Sequence, residues 1–308
     1  MSLTLVEAAK LETGDTVRRA IIELYAASAD ILTALPFAAI AGNSLKYNRQ
    51  ETLPGVGFRG VNQSYTASTG VLNPLSEPLV IAGGELDVDT FIVQTMGMDQ
   101  RSIQEAMKVR ALGLAWTKTF IKGDSTANPL EFDGLQARVT GNQKIAAGST
   151  ANGTALSLAK LDEVIDQTLN PTHLLMSKAM RRRLTQAARN TAVGGFISYQ
   201  KDAFGKTVTV YNDLPIMTVD LDNEGAAILP FTEAATSGTA TATSIYVLSI
   251  GDGMLTGIEN GGMQVFDLGL LQSEPKYRTR VEWFSGLCIM HGRAVTRLYS
   301  IADAAVTA

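Results

Sequence analysis

Few residues of this 308-residue chain have the types that do covalent or metal chemistry, and their spacing argues against it. The single cysteine, Cys288, lies in the apolar run Leu287-Cys288-Ile289-Met290, with His291 just beyond. A thiolate–imidazole nucleophile needs groups converging from separate elements, so this pair reads instead as a buried strand thiol beside a structural histidine. The other histidine, His173, precedes Leu174 and Leu175 and has no second ligand at zinc spacing. Phe204-Gly205-Lys206-Thr207 matches the end of a phosphate-binding loop. The full pattern requires a glycine five positions before Gly205, where Gln200 stands, and the following Val208-Thr209-Val210 reads as strand where the motif opens a helix. No catalytic residue, cofactor or metal is assigned.

Charge offers two further clusters. Glu85, Asp87 and Asp89 alternate, so an extended backbone turns all three to one face. They suit a solvated edge, salt bridges to a neighbouring copy or, less readily, a divalent cation, whose oxygen ligands usually come from a tight loop. Arg181-Arg182-Arg183 is the densest basic run. Three consecutive helical residues spread over most of the circumference, which fits a solvated surface, a subunit boundary or contact with enclosed nucleic acid.

The elements that must carry these groups are uneven along the chain. Asp15 can cap an amphipathic helix with Val17, Ala20, Ile21, Leu24, Tyr25, Ser28, Ile31, Leu32 and Leu35 on one face, ended by Pro36. From Leu53 to Pro78 the chain carries Pro54, Gly55, Gly57, Gly60, Gly70, Pro74 and Pro78 without a sustained period. A structureless segment of that length inside a domain usually serves function or a partner. Short strands at Ser44–Gln50 and Leu79–Ala82 would flank it as a long hairpin. Between Glu51 and Asp89 that region holds one base, Arg59, against Glu51, Glu77, Glu85, Asp87 and Asp89, a net −4. An isolated two-stranded hairpin is marginal in water, so this one must lie on something.

A helix of about six turns follows at Asp99 to Lys122, with Ile103, Met107, Ala111, Leu114 and Ile121 along one stripe and Gly123 past its end. Beyond the small, polar stretch Gly141 to Gly153, helices capped by Ser157 and Ser177 are predicted at 158–169 and 178–190. Strands are predicted at Thr172–Met176, Thr207–Tyr211, Ile216–Val219, Ala226–Leu229, Ser244–Ile250, Met263–Asp267, Lys276–Phe284, Gly286–His291 and Ala294–Ile301. Gly251-Asp252-Gly253 and Asn260-Gly261-Gly262 read as turns between strands. The interleaving lacks the regular alternation of a doubly wound sheet, and the class is α+β.

Composition bounds the function. The net charge of −4 argues against a free nucleic-acid binder, although a shell around DNA need not be basic overall. One cysteine excludes an internal disulfide framework and fits a reducing compartment. No apolar run reaches the roughly 18 residues of a membrane span, and Met1 to Lys10 lacks a signal-peptide core, so no membrane partner is expected and the protein is read as folded in the cytoplasm.

The order of these parts resembles the major capsid proteins of tailed bacteriophages with the HK97-type fold. Lys46-Tyr47-Asn48-Arg49 leading into Leu53-Pro54-Gly55-Val56-Gly57-Phe58-Arg59-Gly60-Val61-Asn62, then Phe132-Asp133-Gly134-Leu135 and Asn212-Asp213-Leu214-Pro215-Ile216, look like the family. The resemblance implies an N-terminal arm (residues 1–43), an extended hairpin or E-loop (44–82), a peripheral domain (83–157) with a spine helix at 99–122, an axial domain (158–281) and returning C-terminal strands (282–308). It implies no enzyme, but copies assembling as pentamers and hexamers into an icosahedral shell around double-stranded DNA. The virion would be the final location, with assembly in the bacterial host cytoplasm. The resemblance implies a scaffolding protein, a portal and a decoration protein as further partners. The segment before the first helix is far shorter than the built-in scaffold of about a hundred residues that some members carry, so the expectation is a separate scaffold or a trimmed chain. Leu53, Phe58, Arg59, Tyr65, Glu77, Glu85, Asp87, Asp89, Arg181, Arg182 and Arg183 are the candidate inter-subunit contacts. Covalent chainmail, found in part of the family, needs a hairpin lysine. Lys46 is the only lysine between Lys10 and Lys108 and lies at the hairpin's base, so no cross-link is expected. Two other readings stand beside this one: an encapsulin-like compartment around a cargo enzyme, and a soluble α+β enzyme whose open segment is a lid.

Overall fold

Both tryptophans of the chain meet in one aromatic cluster, and the architecture is built around them. The computed structural model describes residues 30–96, 99–189, 197–201, 207–236, 238 and 240–307. Its helices are α1 (Asp30–Ala34), α2 (Thr90–Met96), α3 (Asp99–Lys122), α4 (Leu135–Arg138), α5 (Leu158–Gln167) and α6 (Lys178–Ala187). Its strands are β1 (Phe37–Ala39), β2 (Ser44–Thr52), β3 (Val71–Pro78), β4 (Val80–Asp89), β5 (Lys144–Ala146), β6 (His173–Ser177) and β7 (Ile197–Lys201), followed by β8 (Thr207–Tyr211), β9 (Leu214–Val219), β10 (Glu233–Ala234), β11 (Ala240–Leu248), β12 (Leu255–Leu270), β13 (Lys276–Ile289) and β14 (Val295–Ala302).

Among the described residues these strands form three sheets. The smaller has the order β1-β12-β13-β4, the larger β5-β14-β11-β6-β9-β8-β7 with β10 on β11, and β2 pairs only with β3. The long helix α3 has the predicted bounds and, at 24 residues, spans about 36 Å. Its apolar face packs between the smaller sheet and one face of the larger one. Val109, Leu112, Trp116 and Phe120 share a core with Val281, Trp283 and Leu287, and with Leu175, Tyr246 and Leu248. Phe37, Phe120, Phe132 and Trp283 surround Trp116 at ring-centroid distances of 5.3 to 5.9 Å. The Trp116 indole donates to Ser285 Oγ (3.2 Å) and that of Trp283 to Glu259 Oε2 (2.9 Å), so neither polar edge is buried unsatisfied. Gly257 makes room here, because a Cβ would lie 2.5 Å from the Phe37 ring.

The opposite face of the larger sheet is covered by α5 and α6, with Leu161, Ile165, Met180 and Leu184 against Leu174, Met176, Ile245 and Val247. Successive residues of β6 and β11 therefore point into different cores, which is why their sequences are continuously apolar where one-sided strands alternate. The Ser177 hydroxyl accepts from Met180 N at 3.2 Å, the predicted cap.

Several expectations are corrected. The hairpin's return strand is β3, not Leu79–Ala82, which belongs to β4 in the smaller sheet. Prolines 74 and 78 hid it, yet an edge strand tolerates proline because its outward N–H has no ladder partner to lose. Ala226–Leu229 is not a strand. Asp222 folds the segment back, its Oδ1 accepting from Glu224 N (2.9 Å) and Ala226 N (2.8 Å) while Lys118 holds Oδ2 at 2.9 Å. Asn260-Gly261-Gly262 is a bulge inside β12, where the pairing register shifts between Glu259 and Met263 and both glycines have positive φ. Likewise 276–289 is one strand across the predicted break at Ser285. Of the N-terminal helix, α1 carries Ile31 and Leu32 into the core; positions 15–29 lie outside the described residues, as do 204–206 and 190.

Candidate assembly interface

The β2–β3 hairpin is tied down at its base by alternation. Register pairs Leu45 with Glu77, Tyr47 with Leu75 and Arg49 with Asn73, so the odd-numbered residues of both strands share the face turned to the body. On that face the Tyr47 hydroxyl donates to the Ile289 carbonyl (3.1 Å) and Arg49 Nε to the Met290 carbonyl (3.0 Å), both at the end of β13. The Glu77 carboxylate receives both Nη atoms of Arg138 at 2.7 Å each, a bidentate pair largely screened from water. Cys288 is buried at this base, where burial pushes its thiol up to about 11, so it is not a thiolate at neutral pH. Burial also raises Tyr47 to about 12 and keeps its hydroxyl protonated.

The distal part of the hairpin has no such support. Every residue from Glu51 to Asn73 is exposed. Leu53, Val56, Phe58 and Val61 expose 75, 92, 104 and 91% of their surface, with Tyr65 beside them. Among the described residues the tip holds its shape by local contacts. Ser68 Oγ donates to the Gly55 carbonyl (2.9 Å), Arg59 Nη1 to the Gln63 carbonyl (3.2 Å), and the Arg59 guanidinium lies 5.4 Å from the Tyr65 ring centroid. Large apolar side chains this exposed and this close together in sequence suit a surface that meets something else.

The charged candidates divide. Glu77 is engaged inside the chain, as described. Glu85 and Asp87 do share a face, but the same face of β13 meets them. Arg278 Nε donates to Asp87 Oδ1 (2.7 Å), Arg280 Nε to Glu85 Oε1 (3.0 Å), and Asp89 stands opposite Lys276. The hydrogen bond from Arg278 holds the Asp87 carboxyl below the usual carboxylate range. Arg183 pairs with Asp303 (2.8 Å), whereas Arg181 and Arg182 are exposed and make no ion pair among the described residues. Sequence reasoning passed over Tyr47, Arg49 and Arg138 as anchors. The i, i+2 spacing of Tyr47 and Arg49 was the available signal, but the carbonyls they meet lie some 240 residues away. Elsewhere, His173 is partly buried, which lowers its pKa, and its Nδ1 sits 3.0 Å from Thr172 Oγ1. Among the described residues no group of three or more His, Cys, Asp or Glu side chains could hold a metal ion, and no helix is long and apolar enough to cross a membrane.

No protein-family model and no curated protein matches the chain. Solved structures do. The holo-SrpI encapsulin complex of Synechococcus elongatus PCC 7942 superposes with a TM-score of 0.65 at 17% identity, covering 100% of this chain and 99% of that one. The capsid of a native GTA particle gives 0.65 at 14% identity over 89 and 91% of the two chains, and Mycobacterium phage Adephagia 0.60 at 13% over 99% of each. The chain has the HK97-type capsid fold. Within that HK97-type fold, the long helix, the two-sided sheet and the projecting hairpin are parts of one mixed α+β architecture.

Proposed function

We propose that this chain is a major capsid protein, the repeating subunit of an icosahedral shell of pentamers and hexamers that encloses phage double-stranded DNA. The hairpin carries the reading. Among the described residues it is fixed to its own subunit only at the base, and it presents bare apolar side chains at its tip, the form expected of an arm that is completed by another copy. In this reading β2–β3 is the E-loop, α3 the spine helix of a peripheral domain, and the larger sheet with α5 and α6 the axial domain. Covering Leu53, Val56, Phe58 and Val61 on a neighbour would contribute on the order of 1.5–3 kcal/mol for each side chain fully buried. Repetition around closed symmetry multiplies that contact over every subunit. The shell would lie in the virion after assembly in the host cytoplasm, with a scaffolding protein, a portal and a decoration protein as further partners.

The full-length likeness to an encapsulin supports a second reading, a compartment enclosing a cargo protein. Negative-stain electron microscopy with sedimentation of the purified protein tests both. Closed shells, or five- and six-membered rings, are expected, and nuclease-sensitive against protein contents separates capsid from compartment. A monodisperse small species, with the scaffold co-expressed, would sink the shell reading.

A further inference from the structure

From Lys178 to Arg189 the chain carries five bases, Lys178, Arg181, Arg182, Arg183 and Arg189, and no acid, in a protein of net charge −4. Helix α6 buries Met180, Leu184 and Ala187 against the larger sheet, which leaves Arg181 and Arg182 turned outward. The β7–β8 ribbon, in which Tyr199 and Thr209 are cross-strand partners, lies beside them. Lys178, Arg181, Arg182, Thr185, Tyr199 and Thr209 together line an open cleft of about 430 Å³. Lys178 is paired with Asp220 and Arg183 with Asp303, so the cleft's free cations among the described residues are the guanidinia of Arg181 and Arg182.

We propose that this cleft binds the phosphodiester backbone of the enclosed nucleic acid, an inference that rests on the capsid reading and names a contact site within it. A guanidinium presents donors in a fork that matches two phosphate oxygens, and the Thr209 hydroxyl can donate to another, whereas that of Thr185 already donates to the Arg182 carbonyl (3.0 Å). The Tyr199 ring, 59% exposed, adds a flat apolar face of the kind on which sugars and unstacked bases rest. An acidic subunit repels DNA unless its bases are gathered in one place, and this helix is where they are gathered. An acidic segment of a second copy is the weaker occupant. Of two equally dense acidic stretches, Glu85 to Asp89 already meets Arg278 and Arg280 of its own chain, and in Asp220 to Glu224 the first two acids meet Lys178 and Lys118; Glu77 meets Arg138.

The test compares wild type with R181Q/R182Q and with the charge-conserving R181K/R182K. Binding of short double-stranded DNA to the purified protein is followed by fluorescence anisotropy across a salt titration, with particle formation scored separately by electron microscopy. Each phosphate contact contributes about 0.9 to the slope of log affinity against log salt, so the glutamine variant is expected to lose about 2 from that slope and about tenfold or more in affinity at low salt. The lysine variant is expected to retain most of the slope, which separates lost charge from a disturbed helix. An unchanged slope and affinity in R181Q/R182Q overturns the proposal, while normal particles in the same sample leave the capsid reading standing. Loss of particles with unchanged DNA binding also overturns it and makes the cleft a subunit boundary. Failure of wild type to assemble counts against the capsid reading alone, since DNA binding by the subunit is still measured.

Discussion

The two ends of the β2–β3 hairpin share one pair of strands and differ in what surrounds them. At the base every second side chain meets the body: Tyr47 and Arg49 bond carbonyls of β13, and Glu77 locks onto Arg138. At the tip Val56, Phe58 and Val61 are almost wholly in water. The base is therefore a feature of the folded subunit, whereas the tip has no folded-state reason to be apolar. Polar replacements there would suit an isolated subunit better, so its composition fits the proposed contact between copies.

That contrast can be broken most severely by deleting 55–70. The expected outcome is a subunit with an unchanged thermal transition that forms no stable shells; normal particles would remove the tip from assembly. Arg138→Ala should act at the other end. It leaves the Glu77 carboxylate largely buried without its bidentate partner, a loss of about 1–3 kcal/mol in subunit stability that denaturant unfolding would detect. Phe58→Asp sharpens the comparison with one side chain. Unfolding of the free subunit should move by less than about 0.5 kcal/mol, as for other exposed positions, while the yield of sedimenting particles falls. A matching fall in subunit stability would mean that the tip is buried in its own chain.

The smallest effect is expected on the β4–β13 ladder. Arg278→Ala removes an exposed pair partner, and exposed pairs contribute little. Its pH signature follows from the sign of the shift. Because Arg278 lowers the folded-state pKa of Asp87, the contribution is complete above the unfolded carboxylate value of about 4 and is lost as acid titrates the group below it. Wild type and variant should therefore differ slightly at neutral pH and converge in acid. A difference that grows on acidification would reverse the assignment.

Much of the fold could be read locally. The bounds of α3, the Ser177 cap and the strand at Thr207–Tyr211 depend on periodicity, capping and β-branched residues within a few positions, and the structure has them where the sequence placed them. The α+β class and the HK97-type likeness were legible for the same reason. The exposed, glycine- and proline-punctuated tip was legible too, because nothing in 53–70 could form a regular element that packs on its own chain.

Partners distant in sequence were beyond local reading. Only the tertiary structure assigned Pro74 and Pro78 to a strand, seated Phe37–Ala39 parallel to Gly257–Glu259, and turned Glu85 and Asp87 toward Arg278 and Arg280. Each of these depends on register between segments some 20 to 220 residues apart. The sequence states which side chains a strand presents, but which strand lies opposite is settled by the burial and hydrogen bonding of the whole chain. By itself the sequence determined an apolar, glycine-rich arm that had to find a partner. The tertiary structure decided where that arm is fastened, which of its charges are already satisfied, and which of its side chains stay exposed.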